Sequence, residues 1–409
     1  MRTSISTYRS FVLIMLLPIA GAISAFFGIT DRNRKASIFL ISLFSACLVF
    51  FIPPFQDLYR RFLETYLVYN QDTSYSEVIT GKVDVIYYVV TLFFKKEGIP
   101  FFYISVLVVF NTVWNHLSAL NLFIRRREWK GRFPNLIFFF YFCFINILIV
   151  ALGLRMGWAV SFAVRGVISY YFLDKNKLKT SILLLILSAL IHFSMLYVFF
   201  VLIASMFVRL NKKILPFAIV VSLLLGKALI PLILNKFGFG GLSDYALNGY
   251  IDNKSFANQG DSTNEFIVYL YYYTLAAFFI VSFFVFPEVG SEKYANFLSI
   301  YICSCFLLSS FYVAFNRYFV ETGIFFYVLA FTSMRCRILY KVKYIIFVIA
   351  LLNMSFSNIY LQRRPLMFGD MWESLFIPPV FYVLRTESDF EKMLNNVDFN
   401  GNWIGHDIK

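Results

Sequence analysis

Four basic side chains stand inside otherwise apolar stretches of this 409-residue chain: Arg155, Arg165, His192 and Arg317. A cation inside a membrane span is costly, so it ordinarily lines a polar cavity and marks a functional site. Arginine stays charged at every relevant pH and grips phosphate or carboxylate oxygens bidentately, which points to an anionic ligand. Arg155 follows Leu152-Gly153-Leu154 at the start of a helical stretch, and Arg165 lies about 15 Å deeper at helical rise. Arg155 reads either as an anion ligand or as an anchor whose head reaches the membrane interface. Arg165 reads as a ligand or as one half of a structural ion pair. His192, in Leu190-Ile191-His192-Phe193-Ser194, is either a structural hydrogen-bonding residue or a proton acceptor. Arg317, in Asn316-Arg317-Tyr318, has Glu321 one helical turn later as a possible partner. A fifth cluster, Pro53-Pro54-Phe55-Gln56-Asp57-Leu58-Tyr59-Arg60-Arg61, adds the carboxylate Asp57 and three further polar groups, Tyr59, Arg60 and Arg61. His116, flanked by Asn111, Asn115 and Ser118, is expected to serve helix packing.

The elements that must position these residues are membrane helices. With 60% hydrophobic and only 15% charged residues, the chain cannot cover a water-exposed surface in the usual way. The formal charge of +14 sits in short loops between apolar segments. That distribution is an orientation signal, and nucleic-acid binding is not expected. The five cysteines, Cys47, Cys143, Cys303, Cys305 and Cys336, show no zinc-ligand spacing and no disulfide framework, so neither metal nor cofactor is expected. The expected fold is an all-α polytopic membrane protein of about 11 transmembrane helices: 11–29, 37–55, 100–124, 134–153, 156–173, 181–207, 214–234, 264–287, 294–315, 317–333 and 344–360. The first of these reads as an uncleaved helix and not a removable signal peptide. One helical domain, 1–360, would be followed by an interfacial tail, 361–409.

The basic loop from Arg125 to Arg132 is the strongest cytoplasmic marker, and 31–35, 174–179, 209–213 and 335–343 are basic as well. That assignment puts 56–98, 154–155, 235–263, the 316–317 turn and the tail on the outer face. The block 181–207 fits badly, because one crossing would place its two basic flanks on opposite faces. A re-entrant helical hairpin with His192 near its tip restores the charge rule, and a basic outer loop is the alternative. Asp57, Arg61, Arg155 and Arg317 then share one side of the membrane. No G-x-S-x-G, H-E-x-x-H or phosphate-binding glycine loop is present, which argues against soluble hydrolase and ATPase chemistry.

Several short patterns resemble the EpsG-like, Wzy-type polysaccharide polymerases. They are Pro53-Pro-Phe-Gln-Asp57-Leu-Tyr-Arg60-Arg61, Gly153-Leu-Arg155-Met-Gly-Trp-Ala159 leading to Lys175, Lys177 and Lys179, His192-Phe193-Ser194, and Asn316-Arg317-Tyr318-Phe319. Met156 stands where the family often has Gln. The resemblance implies a bacterial inner-membrane glycosyltransferase that joins repeat units carried on undecaprenyl pyrophosphate into O-antigen or a related surface polysaccharide, at the periplasmic side. Its implied partners are a lipid-linked glycan donor and acceptor, the bilayer and a polysaccharide chain-length regulator. In that scheme Arg155 and Arg317 hold diphosphate, with Arg165 as a further binding group. His192 or Asp57 is the available base, His192 otherwise an orienter; Asp57 with Arg61 helps to hold the acceptor, and Arg60 and Tyr59 are further binding groups. Two other classes share the composition. A lipid-linked oligosaccharide flippase would be expected to show paired repeats, and none is visible. A membrane acyltransferase would use His192 but leave Asp57 and Arg155 unexplained.

Overall fold

A computed structural model describes residues 2–126, 134–211, 213–237, 262–285, 291–332, 345, 348–362, 366, 370–398, 401–402 and 404. The chain divides into two compact units, Met1–Leu196 with Arg337–Lys409, and Tyr197–Cys336. The described residues are helices, short 3-10 and π turns and loops, with no β-strand among them, so the protein is all-α as expected. Most of the basic loop from 127 onward, the polar stretch 238–261, the basic segment 335–343 and Cys336 lie outside the described residues.

The first unit is built from α1 (Arg2–Leu16), α2 (Pro18–Phe27), α3 (Arg34–Leu48), α4 (Gln56–Arg61), α5 (Tyr75–Ile79), α6 (Val85–Lys96), α7 (Tyr103–Arg126), α8 (Pro134–Cys143), α9 (Ile147–Gly153), α10 (Arg155–Phe172) and α11 (Lys177–Ile191). Its centre is a helical hairpin. α10 runs 18 residues from Arg155, the chain turns through Asn176 in a left-handed conformation, and α11 returns for 15 residues to His192. Gly166 lets the two helices close up, since a Cβ there would lie 3.0 Å from Leu185 Cγ. Ser188 Oγ donates to the Ala159 carbonyl at 2.6 Å across the same seam. α7 packs on the other side of α10, tied by Asn115 Nδ2 to Ser161 Oγ at 3.2 Å, and α3 packs on α7.

Several expected spans are broken helices. The stretch 11–29 is the second half of α1 and all of α2, folded side by side so that Ser10 Oγ and Ser24 Oγ meet at 2.9 Å. Pro18 causes this: it has no N–H to continue α1, and Leu17 before it is extended. The span 134–153 is the pair α8 and α9, bent by 47°. Carbonyls released by that bend are met by side chains, with Asn353 Nδ2 donating to Cys143 O at 3.0 Å. Non-helical backbone at such depth requires partners of this kind. The block 181–207 is interrupted at His192, which is extended (φ −149°, ψ 112°). Two helices are long and apolar enough to cross a bilayer alone, three if the bent pair counts as one, among the described residues. Among the described residues, proline and polar breaks divide 11–29, 134–153 and 181–207, and parts of 264–287, 317–333 and 344–360 lie outside the described residues.

In the second unit, α12 (Leu196–Phe207) is followed by α13 (Leu215–Phe237), which crosses the helix Glu292–Leu307 closely. A Cβ on Gly226 would lie 2.0 Å from Leu307 O. Asn296 closes the end of α12, donating to the Ser205 and Val208 carbonyls at 3.0 and 2.7 Å and accepting from Leu210 N at 2.8 Å. Filling the α10–α11 seam tests the hairpin. Gly166→Leu is expected to cost about 2 kcal/mol, visible as a lower unfolding temperature of the detergent-solubilised protein. An unchanged unfolding temperature would mean that the seam is not close-packed.

Candidate active site

Asp57, Asp84, Arg155 and His192 come from four separate elements of the first unit and meet at one end of the α10–α11 hairpin. Arg155 is the first residue of α10, and the residue before it, Leu154, is buried with φ +51°. Positive φ in a non-glycine residue costs roughly 1–3 kcal/mol and is kept only where the surroundings enforce it. Gln56, immediately before Asp57, carries the same kind of cost at φ +53°. Two of the three positive-φ non-glycine residues therefore launch helices whose first or second residue is a site side chain. A guanidinium at the positive end of a helix adds charge to charge, so carboxylates are drawn there.

The carboxylate that answers is Asp84, which the sequence reading did not select. It sits just before α6, a position where aspartate ordinarily caps its own helix, yet its side chain makes no capping bond. It accepts from Arg155 Nη1 at 2.6 Å, from the Phe193 backbone N–H at 3.0 Å, and faces His192 Nδ1 at 3.2 Å through both oxygens. Phe193 N–H is available because the helix breaks at His192, which leaves the next amide without a carbonyl one turn back. The Asp84 and His192 side chains are only 2% and 4% exposed. Burial opposes ionisation of Asp84. The hydrogen bond and charge of His192, the charge of Arg155 and the Phe193 N–H outweigh it, and hold the carboxyl below its ordinary range. An ionised Asp84 makes Nδ1 the protonated nitrogen of neutral His192, so Nε2 is its basic nitrogen. The arrangement of base and orienting carboxylate is the one that nucleophile-activating sites use.

Asp57 is held more loosely. Its oxygens lie 3.4 Å from Arg155 Nη2, 3.4 Å from Arg61 Nε and 3.5 Å from Arg60 Nη2. Those separations exceed the 2.7–2.9 Å of a well-formed charge-assisted bond. Three guanidinium groups thus converge on one carboxylate without closing on it, as they would around a larger anion. Arg61 Nη1 also reaches Glu64 at 2.7 Å, and Tyr87 lies beneath Arg155 at 5.8 Å from ring centre to guanidinium carbon. Tyr59 is half-buried, about 200° round the helix from Asp57. Ser194 Oγ lies 3.8 Å from Met156 Sδ, which places residue 156 against the His-x-Ser element.

The remaining sequence candidates stand elsewhere. Arg165 is in the hairpin, half-buried, and donates to Asn115 Oδ1 at 2.8 Å. His116 is buried with Nδ1 3.3 Å from Tyr141 Oη, the packing arrangement expected of it. Arg317 belongs to the second unit, on the π turn Asn316–Gly323, where it acts on Glu321, which accepts from Asn316 Nδ2 at 3.0 Å. Among the described residues no group of histidine, cysteine and carboxylate side chains is arranged to hold a metal.

Removing the charge of Asp84 takes from Arg155 its 2.6 Å carboxylate partner in a largely enclosed site. Asp84→Asn is expected to lower stability by about 3 kcal/mol. Because the folded carboxyl lies below its unfolded value of about 3.9, its contribution is complete above that pH and is lost only as pH falls further. Unfolding curves of the two proteins should therefore stay apart from pH 5 to 8 and converge under more acid conditions. Parallel curves throughout would remove Asp84 from this role.

The family profile of the EpsG family matches residues 55–367, which contain every site residue described above. No curated protein and no solved structure gave a match. Arg155, Asp57 and His192 occupy the motifs by which the sequence resembled such polymerases, and the profile extends that likeness across most of the chain. The protein is a membrane protein of the EpsG family, a Wzy-like family of polysaccharide polymerases.

Proposed function

We propose that this protein joins undecaprenyl-pyrophosphate-linked oligosaccharide units into O-antigen or a related surface polysaccharide, at the periplasmic face of the bacterial inner membrane. The observation that carries the reading is the pairing of an Asp84-oriented His192 with three guanidinium groups that converge loosely on Asp57. In glycosyl transfer an acceptor hydroxyl oxygen bonds to the donor's anomeric carbon, and the bond from that carbon to the lipid diphosphate breaks. The hydroxyl proton must leave, and the diphosphate departs with the bonding electron pair.

His192 Nε2 takes the proton in this scheme, while ionised Asp84 holds the ring and stabilises the imidazolium that forms. Arg155 and Arg61 stabilise charge on the leaving diphosphate, a role that preorganised cations fill without a metal. Arg60, which is more exposed, meets the ligand at the mouth. A diphosphate entering the cradle displaces Asp57 from its long contacts, and the freed carboxylate receives the acceptor sugar, while Tyr59 points away from it on the other side of α4. Arg165, about 15 Å deeper along α10, is too far away to share a diphosphate with Arg155, and its bond to Asn115 assigns it to joining α10 and α7. Arg317 belongs to the second unit, and its expected role as a diphosphate ligand rests on its Asn-Arg-Tyr-Phe motif alone. Lipid-linked substrates account for a site built at the end of a membrane hairpin, and a chain-length regulator would act on the growing product.

A gel profile of surface lipopolysaccharide tests the reading. A strain lacking the gene should lose the ladder and keep the single-unit band, and the intact gene should restore it. Arg155→Ala should abolish long chains at normal protein level, and His192→Ala should slow polymerisation by about 10²-fold or more. Loss of the single-unit band would indicate the flippase instead. An unchanged ladder would remove this glycan as the product.

A further inference from the structure

The family match ends at residue 367, yet the segment beyond it packs on the strand of chain that carries Asp57. Ser374 Oγ donates to Leu48 O at 3.1 Å, at the end of α3. The Tyr382 ring packs at a tilt of 31° against Phe50 with ring centres 4.9 Å apart. Arg385 is buried and donates to the carbonyls of Phe50 and, at 3.1 Å, Ile52. Its guanidinium carbon lies 4.6 Å from the centre of the Phe102 ring. These carbonyls follow the last turn of α3, where no helical N–H remains to meet them. Arg385 thereby fixes the residues from which Pro53-Pro54-Phe55 leads to Asp57.

The far end of the segment makes the second tie. Gly401 O accepts from Gln56 N at 3.0 Å. Gln56 is the positive-φ residue next to Asp57, so this bond holds the conformation that starts α4. Gly401 itself has φ +80°, and a Cβ on it would lie 2.7 Å from Gln56 N. Glycine is required at that contact for both reasons. Between the two ties, Tyr66 Oη donates to Glu387 at 3.0 Å, and Phe390 packs on Phe62 beyond the end of α4.

We propose that residues 370–398 with 401–402 form a clasp that sets the position of Asp57 for the reaction, with Arg385 as its positioning residue and the Gly401 carbonyl as its final tie. The catalytic part of this proposal rests on the function proposed above. The physical part, that the clasp holds 53–61, does not.

Full-length variants expressed in the gene-deleted strain test both parts. Arg385→Ala should lower polymer formation by about tenfold or more, the scale of a misplaced site group, with membrane protein level retained. Arg385→Lys should recover part of the loss, and Gly401→Ala should reproduce it. Arg385→Ala combined with Asp57→Asn should form no less polymer than Asp57→Asn alone, because both act on one group. In purified Arg385→Ala and Gly401→Ala proteins, hydrogen exchange should rise at residues 53–61.

Unchanged exchange at 53–61 would overturn the clasp. Unchanged polymer, or a loss that multiplies with Asp57→Asn, would overturn its positioning role. Failure of both Arg385→Ala and Gly401→Ala to accumulate would make the segment a folding element instead. If the wild-type gene restores no polymer while exchange at 53–61 rises in the variants, the clasp stands and the polymerase reading falls.

Discussion

The carboxylate of Asp84 is the constraint on which the first unit turns. Arg155 opens a helix at its positive end, His192 interrupts another, and Phe193 is left with an amide that its own helix cannot satisfy. Each would be unfavourable by itself in an enclosed setting. One buried carboxylate answers all three at 2.6–3.2 Å. The break in 181–207 and the strained residue before Arg155 are tolerable because Asp84 stands where they meet.

That arrangement separates two kinds of charge. Asp84 is short-bonded, nearly inaccessible and held ionised, so it can orient a base without exchanging partners. Asp57 lies among three arginines at 3.4–3.5 Å and is more accessible, so it can be displaced. A group that fixes geometry and a group that yields to a ligand are what transfer between two bulky substrates requires. The looser carboxylate is also the one reached by the C-terminal segment, through Phe50, Ile52 and Gln56.

Polar side chains do the work of continuity in a chain of broken helices. Ser188 and Asn115 join the hairpin and its neighbour, Asn353 meets a carbonyl freed by the α8–α9 bend, and Asn296 closes α12. Where water is scarce, each such bond replaces one that solvent would otherwise supply. The exposed residues of the tail, among them Trp372, Phe376, Phe381 and Leu384, give its outer side an aromatic and apolar character suited to a bilayer interface.

Composition and hydropathy determined the all-α membrane class, because continuous apolar runs of about 20 residues suit membrane helices, whereas barrel strands would alternate. Costly cations in apolar surroundings likewise marked Arg155 and His192, and the short motifs around Asp57, Arg155 and His192 carried the family. The breaks were only partly legible: the basic flanks of 181–207 pointed to a break near His192, whereas 11–29 read as one helix despite Pro18, and the bend at 144–146 is met by Asn353, far away in sequence. Asp84 was not legible, since an aspartate before a short apolar run looks like an ordinary helix cap. Only the tertiary structure decided that its carboxylate turns from its own helix to residues 71 and 108 positions away. The clasp of 370–398 and 401–402 on 50–66 was decided there as well. Hydropathy records how costly a residue is to bury, but not which distant partner makes its burial possible.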